Sequence, residues 1–421
     1  MREGYRKRPV MAIEELGITL GQFRGDPIEE MVRIGAQMVL GSYLEAEVSA
    51  FLGAERYERS ACREGSRNGH RRRRVSCSAG TVEVDYPKVR ETSEPFRSEV
   101  LDAWQRTSRT LLSTLPSLYV EGLSTRDFER ALSPLWGETG LSRSTVSRAN
   151  GQIEEAFRGW RRRDLSKEDV VCLFLDGHYE GVRLGVREKE AILVAHGTTR
   201  SGARTLLGVY LGARESTESW SLVLQDLTAR GLRQPLLVVS DGNPGLIRAV
   251  RETWPKAARQ RCVVHRIRNV LARVPKKDHV RVRRALNSIF YAPSLEEALQ
   301  AAEKFAETYR ELYPSAVETL GRDLADCLTF YRFPPRQWKR LRTSNALERS
   351  FREVRRRTRV IGRFPTEGSA LALVWSVLDQ DARKWRGMLM DEAHVALVLA
   401  AAESLSREPI VVKGFEETLA A

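Results

Sequence analysis

The sequence predicts an α/β protein: a mixed sheet that is preceded by a mainly helical, basic region and interrupted by a helical stretch. Three observations predict this class. Residues 168–240 contain several apolar, strand-like runs around one amphipathic helix, whereas residues 105–155 look helical throughout. Residues 276–335 return to helical spacing and are dense in Ala, Leu, Glu and Arg. The chain has 421 residues, which suggests two or three domains at about 150 residues each.

Composition narrows the range of functions. Hydrophobic residues make up 42% of the chain, which excludes a globally disordered protein. The net charge of +14 favours a polyanionic partner, either nucleic acid or an anionic membrane. No run approaches the ~18 consecutive apolar residues of a spanning helix, so we expect no membrane partner. Five scattered cysteines without a Cys-x-x-Cys pair, and no segment of signal-peptide type, predict a cytoplasmic protein.

The N-terminal region is predicted to contain a helix, a basic loop and a strand. Helical periodicity covers residues 27–53, with Pro27 suited to the first turn and Gly53 to the end. We expect a polar loop over residues 56–74 that ends in four arginines, Arg71, Arg72, Arg73 and Arg74. The alternating residues 81–87 then predict a strand closed by proline. The arginine run is either a solvated loop or a nucleic-acid contact, and the net charge favours contact.

Two short helices joined by a glycine-bearing turn are predicted between residues 122 and 150. The first begins at Ser124 and the second near Ser142. This pattern resembles a helix-turn-helix, with Ser144 and Arg148 as candidate DNA contacts. An ordinary helical hairpin is the alternative. The hydrogen-bonding side chains of the second helix favour DNA reading, because a plain surface helix prefers Glu and Lys.

The predicted sheet begins near residue 168. Its strand candidates are residues 170–175, 179–186, 191–198 and 236–240, and an amphipathic helix at 219–230 precedes the last of them. This order of elements is typical of an α/β sheet with mixed strand directions.

Two aspartates follow apolar strands of this sheet. Asp176 and Asp241 each stand directly before a glycine, at the strand ends where α/β sheets place ligands. Aspartate is also simply a good turn residue, and Asn243 with Pro244 can begin a helix just after Asp241. Two such aspartates on neighbouring strands nevertheless point to a site more strongly than either does alone.

A third candidate carboxylate is Glu348. With Asn345 as N-cap, Glu348 takes the place of a capping-box glutamate, which is a purely structural role. The same helix also places Arg352, Arg355 and Arg359 on the side of Glu348. A carboxylate that leads a stripe of guanidinium groups suits a metal site beside a phosphodiester backbone. Both roles are compatible.

Three converging carboxylates would support two-metal phosphoryl transfer. Mg²⁺ prefers oxygen ligands and keeps several waters, so it needs few protein ligands. In such a site one ion activates the attacking oxygen and the other the leaving oxygen. The long gap between Asp241 and Glu348 accommodates the helical stretch as an insertion.

Several segments, in order, resemble the Mutator-type transposases of bacterial insertion sequences. They are residues 67–70 (RNGH), 122–126 (GLSTR), 218–220 (ESW), 240–246 (SDGNPGL), 260–270, 344–349 (SNALER) and 355–365. The resemblance covers roughly residues 25–400. It implies an RNase H-like DDE catalytic domain with a helical insertion, in which Asp176, Asp241 and Glu348 form the acidic triad and hold two Mg²⁺ or Mn²⁺ ions.

The resemblance also maps the family's Cys/Asp-x-x-His element to Cys262 and His265, which we expect, with Asn345, to support the active site. From the residues alone, this pair could instead start a zinc site or simply pack. His178 could touch DNA or lie on an exposed strand, and the exposed strand is favoured. Trp220 is as consistent with stacking on DNA bases as with a buried anchor.

The domain boundaries follow from these assignments. We expect an N-terminal helical and basic DNA-binding region at 1–115, a helix-turn-helix at 116–165, the catalytic domain at 166–275 and 341–400, the helical insertion at 276–340 and a tail at 401–421.

The implied activity is that of a DNA transposase. It would bind the terminal inverted repeats of its element, expose a 3′-OH and join it to target DNA. The expected DNA contacts are Arg71, Arg72, Arg73, Arg74, Ser144, Arg148, Arg352, Arg355, Arg356 and Arg359. The expected partners are the double-stranded element ends and target, held by a homodimer or larger assembly at the bacterial nucleoid. The alternatives are a metal nuclease or resolvase without strand transfer, and a catalytically inert DNA-binding regulator.

Overall fold

The fold is that of a computed structural model. It describes residues 26–102, 105–123, 128, 143–179, 191–212, 216–359, 361, 364, 366–385, 387–388, 392–407, 410–412 and 415. The chain divides into two compact units. Unit 1 comprises Met1–Tyr119 and Leu123–Ala149, and unit 2 comprises Val120–Gly122 and Asn150–Ala421.

Unit 1 begins with the predicted helix, α1 (Pro27–Leu52). Asp26 caps it by accepting a hydrogen bond from the Ile28 amide at 2.9 Å, and Pro27 occupies the first turn. Gly53 ends the helix with a left-handed φ of 65°, a conformation that favours glycine. The second half of α1 contributes Leu44 to a small core, so the helix is amphipathic where it meets the following strands.

A long antiparallel hairpin follows, formed by β1 (Ser66–Cys77) and β2 (Gly80–Arg90). Two predictions were therefore wrong: the arginines 71–74 lie on a strand rather than in a loop, and β2 continues past Pro87 to Arg90. The buried aliphatic side chains of the hairpin, Val75, Val82 and Val84, lie towards its tip. The charged part of β1 consequently shows no apolar alternation. Pro87 is tolerated because it pairs beside a register shift in a two-stranded ribbon.

Two further helices follow the hairpin, α2 (Arg109–Val120) and α3 (Arg143–Arg161). The second helix of the predicted helix-turn-helix exists, although it runs on well beyond residue 150. The first helix of that motif, predicted from Ser124, lies outside the described residues. The helix-turn-helix therefore stays a prediction.

Unit 2 contains a five-stranded mixed sheet in the order β5-β4-β3-β6-β7. Its strands are β3 (Val170–Tyr179), β4 (Ala191–Thr199), β5 (Arg204–Gly212), β6 (Leu237–Ser240) and β7 (Ala258–Arg261). The pairs β3–β4 and β4–β5 are antiparallel, whereas β3–β6 and β6–β7 are parallel. The mixed α/β class is thus confirmed. Sequence reasoning missed β5 and β7, and it ended β3 four residues early; the strand predicted at 179–186 lies almost wholly outside the described residues.

Helices flank the sheet, and most of them follow β7 in the chain. They are α4 (Thr217–Ala229), α5 (Pro244–Thr253), α6 (Val263–Leu271), α7 (His279–Phe290), α8 (Leu295–Tyr309), α9 (Pro314–Gly321), α10 (Leu324–Leu328), α11 (Pro335–Leu341), α12 (Asn345–Thr358), α13 (Glu367–Ala382) and α14 (Glu392–Arg407). The stretch 276–335 is helical, as predicted.

Each face of the sheet has its own apolar core. Leu173 and Leu175 point into one core with α4 and α5, and Phe174 points into the other with the helices that follow β7. Trp220 on α4 is fully buried in the first core, so it is a packing anchor rather than a base-stacking residue. In the described part of the chain, no helix is both long and apolar enough to span a membrane.

Candidate active site

The sheet brings Asp176 and Asp241 together. Strands β3 and β6 are parallel, and their last paired residues are Leu175 and Ser240. Asp176 follows Leu175 within β3, and Asp241 follows Ser240 directly after the end of β6, so both aspartates come immediately after the same pair of residues. Asp176 is only 3% exposed, whereas Asp241 is half-buried and opens onto solvent.

The electrostatics at Asp176 indicate a concentration of negative charge. Burial raises the pKa of its carboxyl well above the ordinary value; His265 opposes this shift, while Asp241, Cys262 and Glu348 add to it. A carboxyl whose pKa is raised by burial and by neighbouring acids is a typical functional-site group. Asp241 and Glu348 are therefore both close enough to influence Asp176.

Asp241 also has the structural role that its sequence context suggested. Its Oδ1 accepts a hydrogen bond from the Asn243 amide at 3.0 Å. Asn243 in turn caps α5 through the Gly245 amide, with Pro244 in the first turn, as predicted. Gly242 between them has a φ of +86°, and a Cβ there would collide with the guanidinium group of Arg261. The turn therefore fixes the side chain of Asp241, and Arg261 packs against the backbone of the turn at Gly242.

Glu348 lies on α12 but does not take the capping-box position. The helix begins at Asn345 with Ser344 as its N-cap, so Glu348 is one residue too far along the helix. The structural alternative, a capping box with Asn345 as N-cap, was therefore wrong. The amide and the hydroxyl of Ser344 both lie 3.5 Å from Cys262 Sγ. Glu348 Oε1 instead lies 3.5 Å from His265 Nε2 and 3.8 Å from Arg268 Nη2.

Cys262 and His265 lie beside the carboxylates. Cys262 is fully buried at the N-cap of α6, and His265 follows in the first turn of that helix. One face of α6 therefore approaches both Asp176 and Glu348. Among the described side chains, no three His, Cys, Asp or Glu residues are gathered closely enough to hold a metal ion as they stand. Of Asn345, only the helical backbone is described.

The predicted arginine stripe is exposed. Arg352, Arg355, Arg356 and Arg359 together line an open surface cavity of about 580 Å³. Arg355 Nη2 lies 2.5 Å from His178 Nε2, and the His178 ring stacks on Phe351 at 4.7 Å. His178 lies on a strand, as the favoured interpretation held, but it is half-buried against α12 rather than exposed.

One arginine of this run has a different role that sequence reasoning missed. Arg357 is buried; its Nε donates to the Val120 carbonyl at 2.9 Å, and its other nitrogens contact Glu121 and Glu353. The signal was present in the sequence. Leu347, Val354 and Arg357 recur at helical spacing on the buried face of α12.

In unit 1, the arginine run of β1 also contains both exposed arginines and one half-buried arginine. Arg71, Arg72 and Arg74 are exposed, and the last two pair with Asp85 and Glu83 across the hairpin. Arg73 donates to the carbonyls of Asp102 and Gln105 and lies over the Tyr86 ring. It therefore anchors the loop after β2. Ser144 and Arg148 are both exposed on α3.

A buried and a half-buried acid towards the carboxyl ends of adjacent strands, with a half-buried acid and exposed arginines on α12, are features expected of an enzyme that acts on nucleic acid. Sequence comparisons identify the family. Residues 19–387 match the sequence model described as "Transposase, Mutator family". The chain belongs to the Mutator family of transposases.

Three relatives illustrate the extent of the similarity. The transposase of element ISRM5 from Rhizobium meliloti (strain 1021) is 35% identical over 361 residues, covering 86% of this chain and 89% of the relative. The transposase of IS6120 from Mycolicibacterium smegmatis is 39% identical over 290 residues, 68% of this chain and 89% of the relative. The transposase of IS256 in transposon Tn4001 from Staphylococcus aureus is 31% identical over 354 residues, 82% and 89% respectively.

Proposed function

We propose that this transposase binds the terminal inverted repeats of an insertion sequence, hydrolyses a phosphodiester to expose a 3′-OH and joins that hydroxyl to target DNA. Asp176, Asp241 and Glu348 are the proposed catalytic carboxylates. The observation that carries the proposal is the parallel register of β3 and β6, which aligns the two aspartates, together with the influence of Glu348 on the same buried carboxyl.

The proposed cofactor is Mg²⁺ or Mn²⁺, as two ions held by the three carboxylates. These residues fit hard divalent cations, because their ligand atoms would be carboxylate oxygens. The neighbouring acids also add negative charge around Asp176, which a cation would offset. When bound, such ions polarise the attacking and leaving oxygens of the phosphodiester.

The remaining residues of the site are proposed to position the carboxylates and the substrate. His265 and Arg268 hold the carboxylate of Glu348, and the thiol of Cys262 fixes the start of α12 through Ser344. Asn345 is proposed to support the same turn. Arg352, Arg355, Arg356 and Arg359 would bind backbone phosphates next to the scissile bond, as exposed guanidinium groups do.

We further propose that unit 2 is RNase H-like, with the helices after β7 as its insertion, and that residues 116–165 contain a helix-turn-helix. The exposed arginines of β1, together with Ser144 and Arg148, would contact the element ends. Two DNA ends have to be held together for joining, so the working form is proposed to be a homodimer or a larger assembly on nucleoid DNA in the cytoplasm.

The test uses full-length protein, Mg²⁺, a donor DNA that carries the inverted repeats from the flanks of the gene, and a target plasmid. We expect cleavage at the repeat ends and sequenced junctions between those ends and the target. Cleavage without junctions would identify the nuclease alternative, and binding without cleavage would identify the inert regulator. Asp241→Asn serves as the inactive control.

A further inference from the structure

A basic groove of about 1040 Å³ starts at Asp241 and runs away from the proposed active site. It lies between α5, α6 and the helices α9 and α10, entirely within unit 2. Among the described residues, seven arginines and three aspartates line it. The arginine stripe on α12 does not contribute to this groove.

The floor of the groove contains more positive charge than its own acids neutralise. Arg261 and Arg266 share the carboxylate of Asp323, and Arg259 pairs with Asp326. Three guanidinium groups thus face two carboxylates. Three of their nitrogens, Arg259 Nη1, Arg261 Nε and Arg266 Nε, are buried without a hydrogen-bond partner among the described residues. Buried unpaired donors are costly, and an anion in the groove would offset that cost.

The rim of the groove adds arginines that are open to solvent. Arg251 on α5 and Arg273 just after α6 are both exposed and form no ion pair within the described part of the chain. Arg248 and Arg322 also reach the groove, but they are paired with Glu252 and Glu318. Arg251 and Arg273 are therefore the rim groups best placed to take a phosphate.

The dimensions and lining of the groove indicate the ligand. Its volume of about 1040 Å³ is close to the upper limit of the range typical of ligand pockets, about 300–1,000 Å³, which favours a single strand over a duplex. Apart from the imidazole of His265, no aromatic side chain lines the groove among the described residues, and contact would therefore involve the backbone rather than base stacking. Because Asp241 is one of the lining residues, a strand in the groove leads directly to the scissile position.

We infer that this groove binds a single strand of DNA through its phosphates, and that this strand is the unpaired segment that leaves the active site. The inference rests on the proposed function, since it assigns part of the same substrate. It predicts binding without base preference, because arginine contacts to phosphates carry no sequence information.

The test measures binding of full-length protein to a labelled oligothymidylate of about 12 nucleotides by fluorescence anisotropy across a salt series, without divalent metal. Arg251→Ala/Arg273→Ala should raise the Kd about tenfold and reduce the salt slope by about 1.4, or 0.7 for each phosphate that is no longer neutralised. Arg251→Lys/Arg273→Lys retains the charges and should keep the slope. The control is Arg200→Ala/Arg233→Ala, which removes two exposed arginines that pair with Asp169 outside the groove lining, and it should change neither quantity.

Three results would overturn the inference. The first is an alanine variant that binds like the parent. The second is a control variant that weakens binding equally, which would show only a general charge effect. The third is a duplex of the same length that competes as well as the single strand. Cleavage and joining are measured separately with Mg²⁺, so a protein that joins DNA but fails these tests refutes the groove and not the transposase activity.

Discussion

Arg357 is predicted to stabilise α12 rather than to bind DNA, although it belongs to a run of three arginines. Its side chain is 9% exposed, and it donates to the Val120 carbonyl, Glu121 and Glu353. Arg357→Ala removes all three contacts. Hydrogen bonds to charged groups contribute about 1.5–3 kcal/mol each, but Glu121 and Glu353 are 55% and 43% exposed, so solvent screens both. We therefore expect a loss of about 2–4 kcal/mol in the free energy of unfolding.

The neighbouring residue provides the matched control. Arg356 is 65% exposed and pairs with Glu353 at 3.0 Å, so Arg356→Ala should cost only about 0.3–0.5 kcal/mol. Urea unfolding followed by tryptophan fluorescence suits this comparison, because six of the eight tryptophans belong to unit 2. DNA cleavage should fall with stability in Arg357→Ala, since α12 carries Glu348. Equal stability of the two variants, with weaker DNA binding in Arg357→Ala, would refute the structural role of Arg357.

Two further predictions concern the same site. Arg359→Ala should weaken binding to the element ends and reduce the salt slope by about 0.9, with an unchanged melting temperature; an unchanged slope would remove Arg359 from the DNA contacts. Asp176→Asn should make the metal-free protein more stable at neutral pH. Burial raises the pKa of Asp176 in the folded chain, so the parent loses stability as pH rises from the ordinary value of 3.8 through the folded pKa, and the variant lacks this loss. Melting curves between acidic and neutral pH in EDTA check this, and equal pH dependence of the two proteins would contradict it.

Most elements with a continuous buried face were predictable from the sequence; β5 is the exception, because its buried run at residues 206–210 was missed. The apolar runs of β3, β4 and β6 reflect burial along most of each strand. The helical periodicity of α1 reflects burial of its second half only, where Leu44, Val48 and Leu52 lie. By contrast, β1 is charged along most of its length because only its tip is covered, and β7 has four residues with a single buried side chain. No periodic signal was available in either strand.

In the candidate site, too, the sequence predicted some features and not others. The pairing of Asp176 with Asp241 was predictable because each follows an apolar strand of one sheet. The surroundings of Glu348 were not, because Cys262 and His265 approach α12 from a helix some 80 residues earlier in the chain. The helical spacing identified the exposed arginines of α12, but it did not separate Arg357 from them, because burial of a charged residue depends on partners elsewhere in the chain.

Glu353, the second acidic residue of α12, has a role that the structure makes clear. Its carboxylate accepts hydrogen bonds from Arg357 and Arg356, and these bonds lower its pKa. The carboxylate of Glu353 is therefore paired with arginines of its own helix. Glu348 is therefore the one acidic side chain of α12 that approaches the aspartates.

The most direct test of the proposed activity is Glu348→Gln in full-length protein. The change keeps the size of the side chain and removes one negative charge from the acidic site. Glu348 does not cap α12, and its contacts to His265 and Arg268 are partly exposed, so stability should change by less than about 1 kcal/mol. Binding to the element ends should stay the same or rise slightly. Cleavage and joining with Mg²⁺ or Mn²⁺ should fall by about 10³-fold or more, equivalent to a barrier raised by about 4 kcal/mol. A Glu348→Gln protein that cuts and joins DNA at the parent rate would contradict the assignment of the triad.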